Sequence, residues 1–171
     1  ERNLINSTSH YEVELRLLQH REGGFVPLLK LYTLPDHRFD YRRYYVAASM
    51  KPMMAAGLMA LAKPYLKEYA QILDPFCGVG TLLMERRFAV PARNAYGIDT
   101  FGEAIEKARV NSKIAGMQTN YINRDYFDFV HDYKFDEIVT DLPAGNLSKP
   151  ELDDLYRRFF EKSDEVLAED G

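Results

Sequence analysis

Four aspartates, Asp74, Asp99, Asp125 and Asp141, each follow a short apolar run, and the first opens the turn Asp74-Pro75-Phe76-Cys77-Gly78-Val79-Gly80-Thr81. Two glycines two residues apart let the main chain bend sharply and approach a ligand, because neither carries a Cβ. The apolar helical pattern behind them, from Thr81 to Phe88, starts with unpaired N–H groups and a partial positive charge. Such a turn holds the polar end of a nucleotide-like cofactor. A single aspartate at a strand end is usually a cap or a turn residue. Four in succession, on strands that finish at one edge of a sheet, point instead to carboxylates converging on one crevice.

Each carboxylate suits a different partner. Asp99 lies 19 residues after Gly80, where it can accept hydrogen bonds from both hydroxyls of a ribose. Its competing role is to cap the next helix, but Thr100 can do that. Asp125, within Asn123-Arg124-Asp125-Tyr126-Phe127, can accept from an adenine amino group with an aromatic neighbour against the ring. An ordinary helix cap is the rival role there. The dinucleotide fingerprint G-x-G-x-x-G fails because Leu83 stands where the third glycine belongs, and a P-loop fails for want of Gly-Lys-Ser/Thr.

The elements that must position these groups follow from the pattern. Residues 11–18 and 25–32 read as a hairpin around Glu22-Gly23-Gly24, with Pro27 placing the second strand at an edge or bulge. Residues 51–62, rich in Met and Ala, read as a buried helix whose Met50, Met53, Met54 and Met59 belong to the core. Beyond Gln71 the runs 72–73, 95–98, 119–122 and 135–140 read as strands separated by helices. One helix has Thr100-x-x-Glu103 as its capping box, a face of Ala104, Ile105, Ala108 and Ile114, and Gly116 at its end. The last begins at Ser148-x-x-Glu151 and carries a stripe of Leu152, Leu155, Tyr156, Phe159, Phe160, Val166 and Leu167. This alternation implies right-handed βαβ units in a parallel sheet, with ligands beyond the carboxyl ends of its strands. Gly171 falls where another strand is expected, so further C-terminal strands are expected to be missing here.

Composition narrows the class. At 171 residues, 46% hydrophobic and 28% charged, the chain has the make-up of a soluble globular domain. No apolar run reaches the roughly 18 residues of a membrane span, and the polar first ten residues are no signal peptide. One cysteine allows no internal disulfide, and four scattered histidines give no zinc spacing; both fit a reducing cytoplasm. A net charge of −4 argues against a broad nucleic-acid-binding surface on this domain.

The segments Asp74 to Thr81, Tyr96-Gly97-Ile98-Asp99 and Ala104 to Asn111 resemble the S-adenosylmethionine-binding core of class I methyltransferases. More narrowly, the chain from about Tyr44 onward resembles the THUMP-associated RNA methyltransferases that modify guanine N2 in transfer or ribosomal RNA. The resemblance implies an α/β fold with a Rossmann-like, mostly parallel sheet behind an N-terminal β-hairpin extension. It divides the chain into residues 1–45 (hairpin and connector) and 46–171 (methyltransferase core). It further implies S-adenosyl-L-methionine bound by Asp74, Pro75, Phe76, Cys77, Gly78, Gly80, Thr81, Asp99, Asp125 and Tyr126. Ser49 and Pro52, in Ala48-Ser49-Met50-Lys51-Pro52, would lie near its methionine end.

The same resemblance gives Asp141-Leu142-Pro143-Ala144-Gly145 a role. An exocyclic amine conjugated to a base is a poor nucleophile. A carboxylate at Asp141 and a main-chain carbonyl near Leu142-Pro143 would orient its lone pair toward the sulfonium methyl, so the protein contributes positioning and electrostatics. The family carries an aromatic residue where this chain has Ala144; Tyr44, Tyr45 or Tyr126 are the replacements on hand for stacking on a flipped-out base. Cys77, inside the cofactor turn, is not expected to be a nucleophile. Glu85 is expected to be a surface carboxylate, and Arg38, Arg42 and Arg43 are candidates for phosphate contacts. The expected activity is methylation of guanine N2 in structured RNA recruited by a separate N-terminal domain, with no membrane association. A non-catalytic cofactor- or RNA-binding module, or transfer to adenine N6 or protein glutamine, are the alternatives.

Overall fold

The computed structural model describes Ser7, Tyr11 and residues 13–30, 37–143, 145 and 147–171. The chain divides into two units, Glu1–His37 and Arg38–Gly171. The first holds β1 (Glu14–Gln19) and β2 (Phe25–Lys30), paired antiparallel with Gln19 opposite Phe25. Gly23 and Gly24 take φ of +96° and +84° in the turn between them, a region open to glycine at little cost. Pro27 sits opposite Leu17 and, in a two-stranded sheet, interrupts no interior ladder.

In the second unit α1 (Pro52–Ala62) precedes the alternation of β3 (Ala70–Asp74), α2 (Thr81–Ala89), β4 (Ala92–Asp99), α3 (Gly102–Ile114), β5 (Asn120–Asn123), β6 (Glu137–Ile138) and α4 (Lys149–Val166). The four strands are parallel in the order β5-β4-β3-β6. The chain therefore starts in mid-sheet, runs to one edge and returns to the other side of β3. The point where the order reverses, between β3 and β6, is where open α/β sheets bind ligands. Beyond β6, Phe135 pairs in parallel with Leu167, the N–H of Phe135 donating to Val166 O at 2.8 Å and that of Ala168 to Phe135 O at 2.9 Å. The Rossmann-like sheet with its antiparallel hairpin is the architecture expected from the sequence.

Successive residues of a strand point to opposite faces, and both faces of this sheet are covered. Ile72, Ala95 and Tyr121 pack with Leu83, Ile105 and Ala108 on one side. Leu73 and Ile98 pack with Tyr126, Phe129, Phe135, Phe159 and Val166 on the other. Arg86 of α2 crosses this interior wholly buried. Its guanidinium forms a bidentate pair with Glu137 of β6 and donates to Val90 O and Lys67 O, each at 2.7 Å.

Several local expectations change. Helix α1 buries only Ala55 and Met59, while Met53, Met54, Leu58 and Leu61 stay exposed; a helix apolar on every side gives no clue to which face will be covered. Helix α3 is preceded by Phe101 without a side-chain cap, and Asp99 accepts from the Phe101 N–H at 2.8 Å, so the Thr100-x-x-Glu103 box does not form. Glu103 pairs with Lys107 instead. Gly116 ends α3 as expected, at φ +68°, with the Met117 N–H donating to Ser112 O at 2.8 Å. Glu151 accepts from the Ser148 N–H at 2.7 Å, so the box of α4 does form. Its apolar stripe is narrower than the pattern, since Tyr156 and Phe160 are exposed. Glu85 is 1% exposed rather than on the surface, held by the Tyr41 hydroxyl at 2.6 Å and Arg38 at 2.8 Å. Arg42 donates to the Thr81 hydroxyl at 3.2 Å, so two of the three phosphate candidates serve to fasten their own segment to α2. Among the described residues no helix is long and apolar enough to cross a membrane.

Candidate active site

The glycine turn is built by the ends of β3 and β4 together. Asp74 closes β3 almost fully buried, and its Oδ1 accepts from the Phe76 N–H at 3.2 Å and from the Thr140 hydroxyl at 2.8 Å. The Cys77 N–H donates to Ile98 O at 2.8 Å, which ties the turn to β4. Gly78 and Gly80 then adopt φ of +52° and +78°. At Gly78 an added Cβ would meet open space, so the backbone is bare toward the cleft. At Gly80 it would lie 2.3 Å from the Tyr121 hydroxyl, and at Gly97 of β4 it would lie 2.8 Å from the Tyr121 ring and 2.9 Å from Cys77 Sγ. Tyr121 fills that space, with its hydroxyl 2.7 Å from Ser112 Oγ.

Asp99 spans the turn and the next helix. Its Oδ2 accepts from the Gly78 N–H and its Oδ1 from the Phe101 N–H, both at 2.8 Å. Each oxygen keeps a further lone pair for a hydroxyl donor. Asp125 caps the single 3-10 turn Tyr126–Asp128, accepting from the Phe127 N–H at 2.9 Å, and is exposed. Tyr126 is 1% exposed, edge-on to Phe76 at 5.8 Å, with its hydroxyl directed at Ser163. It lies beneath the cleft, and the half-buried Phe76 and Phe127 present ring surface above it. Asp141, Leu142 and Pro143 follow Thr140 across the switch point, with Leu142 against the same aromatic cluster.

A rim segment closes the remaining side. The side chain of Asn111, itself wholly buried, accepts from the Tyr44 N–H at 3.0 Å and donates to Tyr44 O at 2.9 Å. Lys107 donates to Tyr45 O at 3.0 Å, and Ser49 Oγ accepts from the Val46 N–H at 2.9 Å. These bonds hold Val46, Ala48, Ser49 and Met50 at the edge of one cleft of about 640 Å³.

That cleft brings together the sequence-derived candidates Ser49, Asp74, Pro75, Phe76, Cys77, Gly78, Thr81, Asp99, Asp125, Tyr126, Asp141, Leu142 and Pro143. Pro52 and Gly80 are not among its lining residues: Pro52 starts α1 and Gly80 shapes the turn from behind. Phe101, Ala104, Arg124 and Phe127 also line it and were not among the site residues expected from sequence. Arg124 and Phe127 lie in the segment 123–127 around Asp125, but only Asp125 and Tyr126 in it were assigned to the site. Ala144 lies outside the described residues. Burial pushes the Cys77 thiol well above its ordinary range, with Asp74 and Asp99 adding to the effect, which leaves it no thiolate nucleophile.

Burial also pushes Asp74 from 3.8 up to about 7, opposed by the bonds from Thr140 and Phe76 and reinforced by the charges of Asp99 and Asp141. The folded protein thus binds this proton more tightly than the unfolded chain. Between roughly pH 4 and pH 7 only the folded state keeps it, so the stability of the cofactor-free protein falls as pH rises, by up to about 1.4 kcal/mol per unit, and levels off above the folded value. Asp74→Asn is expected to lack this slope and to become more stable than wild type by a margin that grows from pH 5 to pH 8. Urea unfolding across that range checks it; a margin independent of pH would contradict the assignment.

Comparison with known proteins adds the family. The model described as RMKL-like, methyltransferase domain, matches residues 40–171. A tRNA (guanine(10)-N2)-dimethyltransferase from Methanothermobacter thermautotrophicus is 32% identical over 156 residues, 86% of this chain and 45% of that protein. The U6 snRNA (guanine-N(2))-methyltransferase THUMPD2 of Bos taurus is 27% identical over 139 residues, 76% of this chain and 26% of that protein. The crystal structure of TrmN from Thermus thermophilus superposes with a TM-score of 0.71 at 23% identity, covering 95% of this chain and 48% of that one. Two further neighbours described as S-adenosylmethionine-dependent methyltransferases share the fold at 21% identity, with TM-scores of 0.51 and 0.57. The chain spans less than half the length of these two curated relatives. Because the family model covers all but the first two residues of the unit that builds the cleft, the chain belongs to the RMKL-like methyltransferase domain family.

Proposed function

We propose that this domain binds S-adenosyl-L-methionine and transfers its methyl group to the exocyclic N2 of guanine in a structured RNA, a transfer or ribosomal RNA. The observation that carries the proposal is the convergence of Asp74, Asp99, Asp125 and Asp141 on one cleft at the switch point of the sheet. The donor set fits the cofactor's chemistry. Carboxylates accept from ribose hydroxyls, an adenine amino group and a methionine ammonium, and Arg124 is the one cation among the described lining residues, as suits a ligand without phosphate. Gly78 leaves room for close approach to the main chain.

In this reading Asp99 holds the ribose, Asp125 the adenine edge beside Phe127, and Asp74 with the rim at Ser49 the methionine end. When bound, the cofactor supplies the methyl group and its thioether leaving group. Asp141 accepts one N–H of the target amine and a carbonyl of the Leu142-Pro143 segment accepts the other, which turns the lone pair toward the cleft. Among the suggested substitutes for an aromatic residue at position 144, Tyr126 is buried, while Tyr44 and Tyr45 are exposed and sit on the rim segment. RNA selection by a separate domain and a cytoplasmic setting belong to the same reading. The two curated relatives, named for guanine N2 in tRNA and in U6 snRNA, support N2 of guanine as the acceptor and differ in the RNA they act on.

Calorimetry is expected to show S-adenosylmethionine binding in the micromolar range, about −8 kcal/mol. Asp99→Ala is expected to weaken it about 10- to 100-fold, because it removes charge-assisted bonds both to the ligand and to the Gly78 N–H. Absence of binding by wild type, or equal binding by the variant, would remove the cofactor assignment. Nucleoside mass spectrometry of RNA made with and without the full-length protein identifies the methylated base.

A further inference from the structure

We propose that Thr140 is a positioning residue whose hydroxyl couples the cofactor-binding carboxylate of Asp74 to the acceptor-amine loop that begins at Asp141. The inference rests on the proposed function and adds a residue to it. Thr140 directly precedes Asp141, and its Oγ1 donates to Asp74 Oδ1 at 2.8 Å across the gap between β6 and β3. That gap is the switch point. Strand β6 is only two residues long and pairs with β3 through Ile72–Glu137 and Leu73–Ile138, with the Val139 N–H donating to Leu73 O at 2.9 Å. After that last main-chain bond the two strand ends diverge to form the cleft. The Thr140 side chain is the next tie between them, and among the described residues it is the side-chain donor to Asp74.

The tie has two consequences. It fixes where the loop carrying Asp141 leaves the sheet, and hence where the amine stands relative to a ligand held at Asp74. It also favours the ionised form of Asp74, since a hydroxyl that donates stabilises a carboxylate. A cofactor with a sulfonium and an ammonium calls for that ionised form. The titratable groups that act against it are Asp99 at the end of β4 and Asp141 beyond β6, and it is felt in turn by Cys77 in the turn and Tyr121 of β5. Against these, the Thr140 hydroxyl and the Phe76 N–H are the two groups holding the charge. A valine at position 140 keeps the shape and loses the donor.

The test is S-adenosylmethionine affinity by calorimetry from pH 5.5 to 9 for wild type, Thr140→Val and Thr140→Ser, in the full-length protein, with methyl transfer to undermodified RNA measured alongside. Wild-type affinity is expected to rise with pH and level off. In Thr140→Val the levelling-off is expected to move up by about one pH unit, which lowers affinity roughly fivefold at neutrality and roughly tenfold below about pH 6, and kcat is expected to fall as well. Thr140→Ser is expected to restore the wild-type midpoint. Superimposable profiles for wild type and Thr140→Val would overturn the role of Thr140 while leaving the cofactor assignment standing. No binding by wild type at any pH would overturn both. Should Thr140→Val not fold, Thr140→Ala removes the same donor without crowding and is scored in the same way; failure of both to fold, or a serine variant that behaves like valine, would overturn the proposal in favour of simple packing.

Discussion

Arg86→Ala is expected to be the most damaging single substitution in this domain, lowering stability by about 3–5 kcal/mol, a large share of the roughly 5–15 kcal/mol that holds a domain folded. The reason is what the alanine would leave behind. The guanidinium is completely buried between α2 and the sheet and joins four elements: Glu137 on β6, Val90 after α2, Lys67 before β3, and its own helix. Glu137 also accepts from the Lys67 N–H at 3.0 Å, and its side chain is only 11% exposed. Without Arg86 two carbonyls lose this donor and the carboxylate keeps only the Lys67 N–H, in a space water cannot easily fill. Glu137→Gln should cost less, because the amide oxygen still accepts. Urea unfolding of the two variants checks the order; equal losses would mean that the ion pair matters less than the volume.

Asp141→Ala is expected to lower kcat/KM for methyl transfer about 10²- to 10³-fold, the usual scale for a group that orients a reacting nucleophile. Cofactor affinity should be kept or slightly improved. The charge of Asp141 raises Asp74, so removing it favours the ionised form that the cofactor requires. A transfer assay into undermodified RNA, paired with calorimetry on the same preparation, separates the two effects. Activity within threefold of wild type would show that another group holds the amine. A matched loss of cofactor binding would place Asp141 in the cofactor site instead.

The parts of this molecule that depend on neighbours in sequence were legible in it. Strand β3 and the second half of β4 appear as apolar runs because parallel strands inside a sheet are covered on both faces. The glycine turn announces itself through Gly78 and Gly80, whose backbone angles favour glycine. Parallel order then brings four strand ends to one edge without any knowledge of side-chain contacts. What escaped the sequence depends on distant partners. Glu85 looks like a surface carboxylate on a helix, and only residues 44 and 47 positions earlier, Tyr41 and Arg38, explain its burial. Arg38 and Arg42 look like phosphate ligands for the same reason: a basic, aromatic stretch reads alike whether its charges meet RNA or the protein's own helix. The capping role passed from Thr100 to Asp99 because a single residue can accept from the turn and from the helix start at once. Arg86 gave no signal, since an arginine in an amphipathic pattern is expected to face water.

Tyr121 has an implication for how this sequence can change over time. Its ring and hydroxyl occupy the volume beside both Gly80 and Gly97, so three residues drawn from a turn and two strands share one pocket of space. Neither glycine can accept even a methyl group while the tyrosine remains, and the tyrosine gains nothing from either glycine once it is gone. Substitutions at these positions are therefore ordered in time. A lineage that shortens residue 121 opens a cavity first, and position 97 can then acquire a side chain once Cys77, whose Sγ would lie 2.9 Å from its Cβ, also gives way. Reversal is blocked by that acquired side chain until it is lost again. Position 80 keeps its glycine on either route, because its left-handed backbone outlives the neighbour that crowds it.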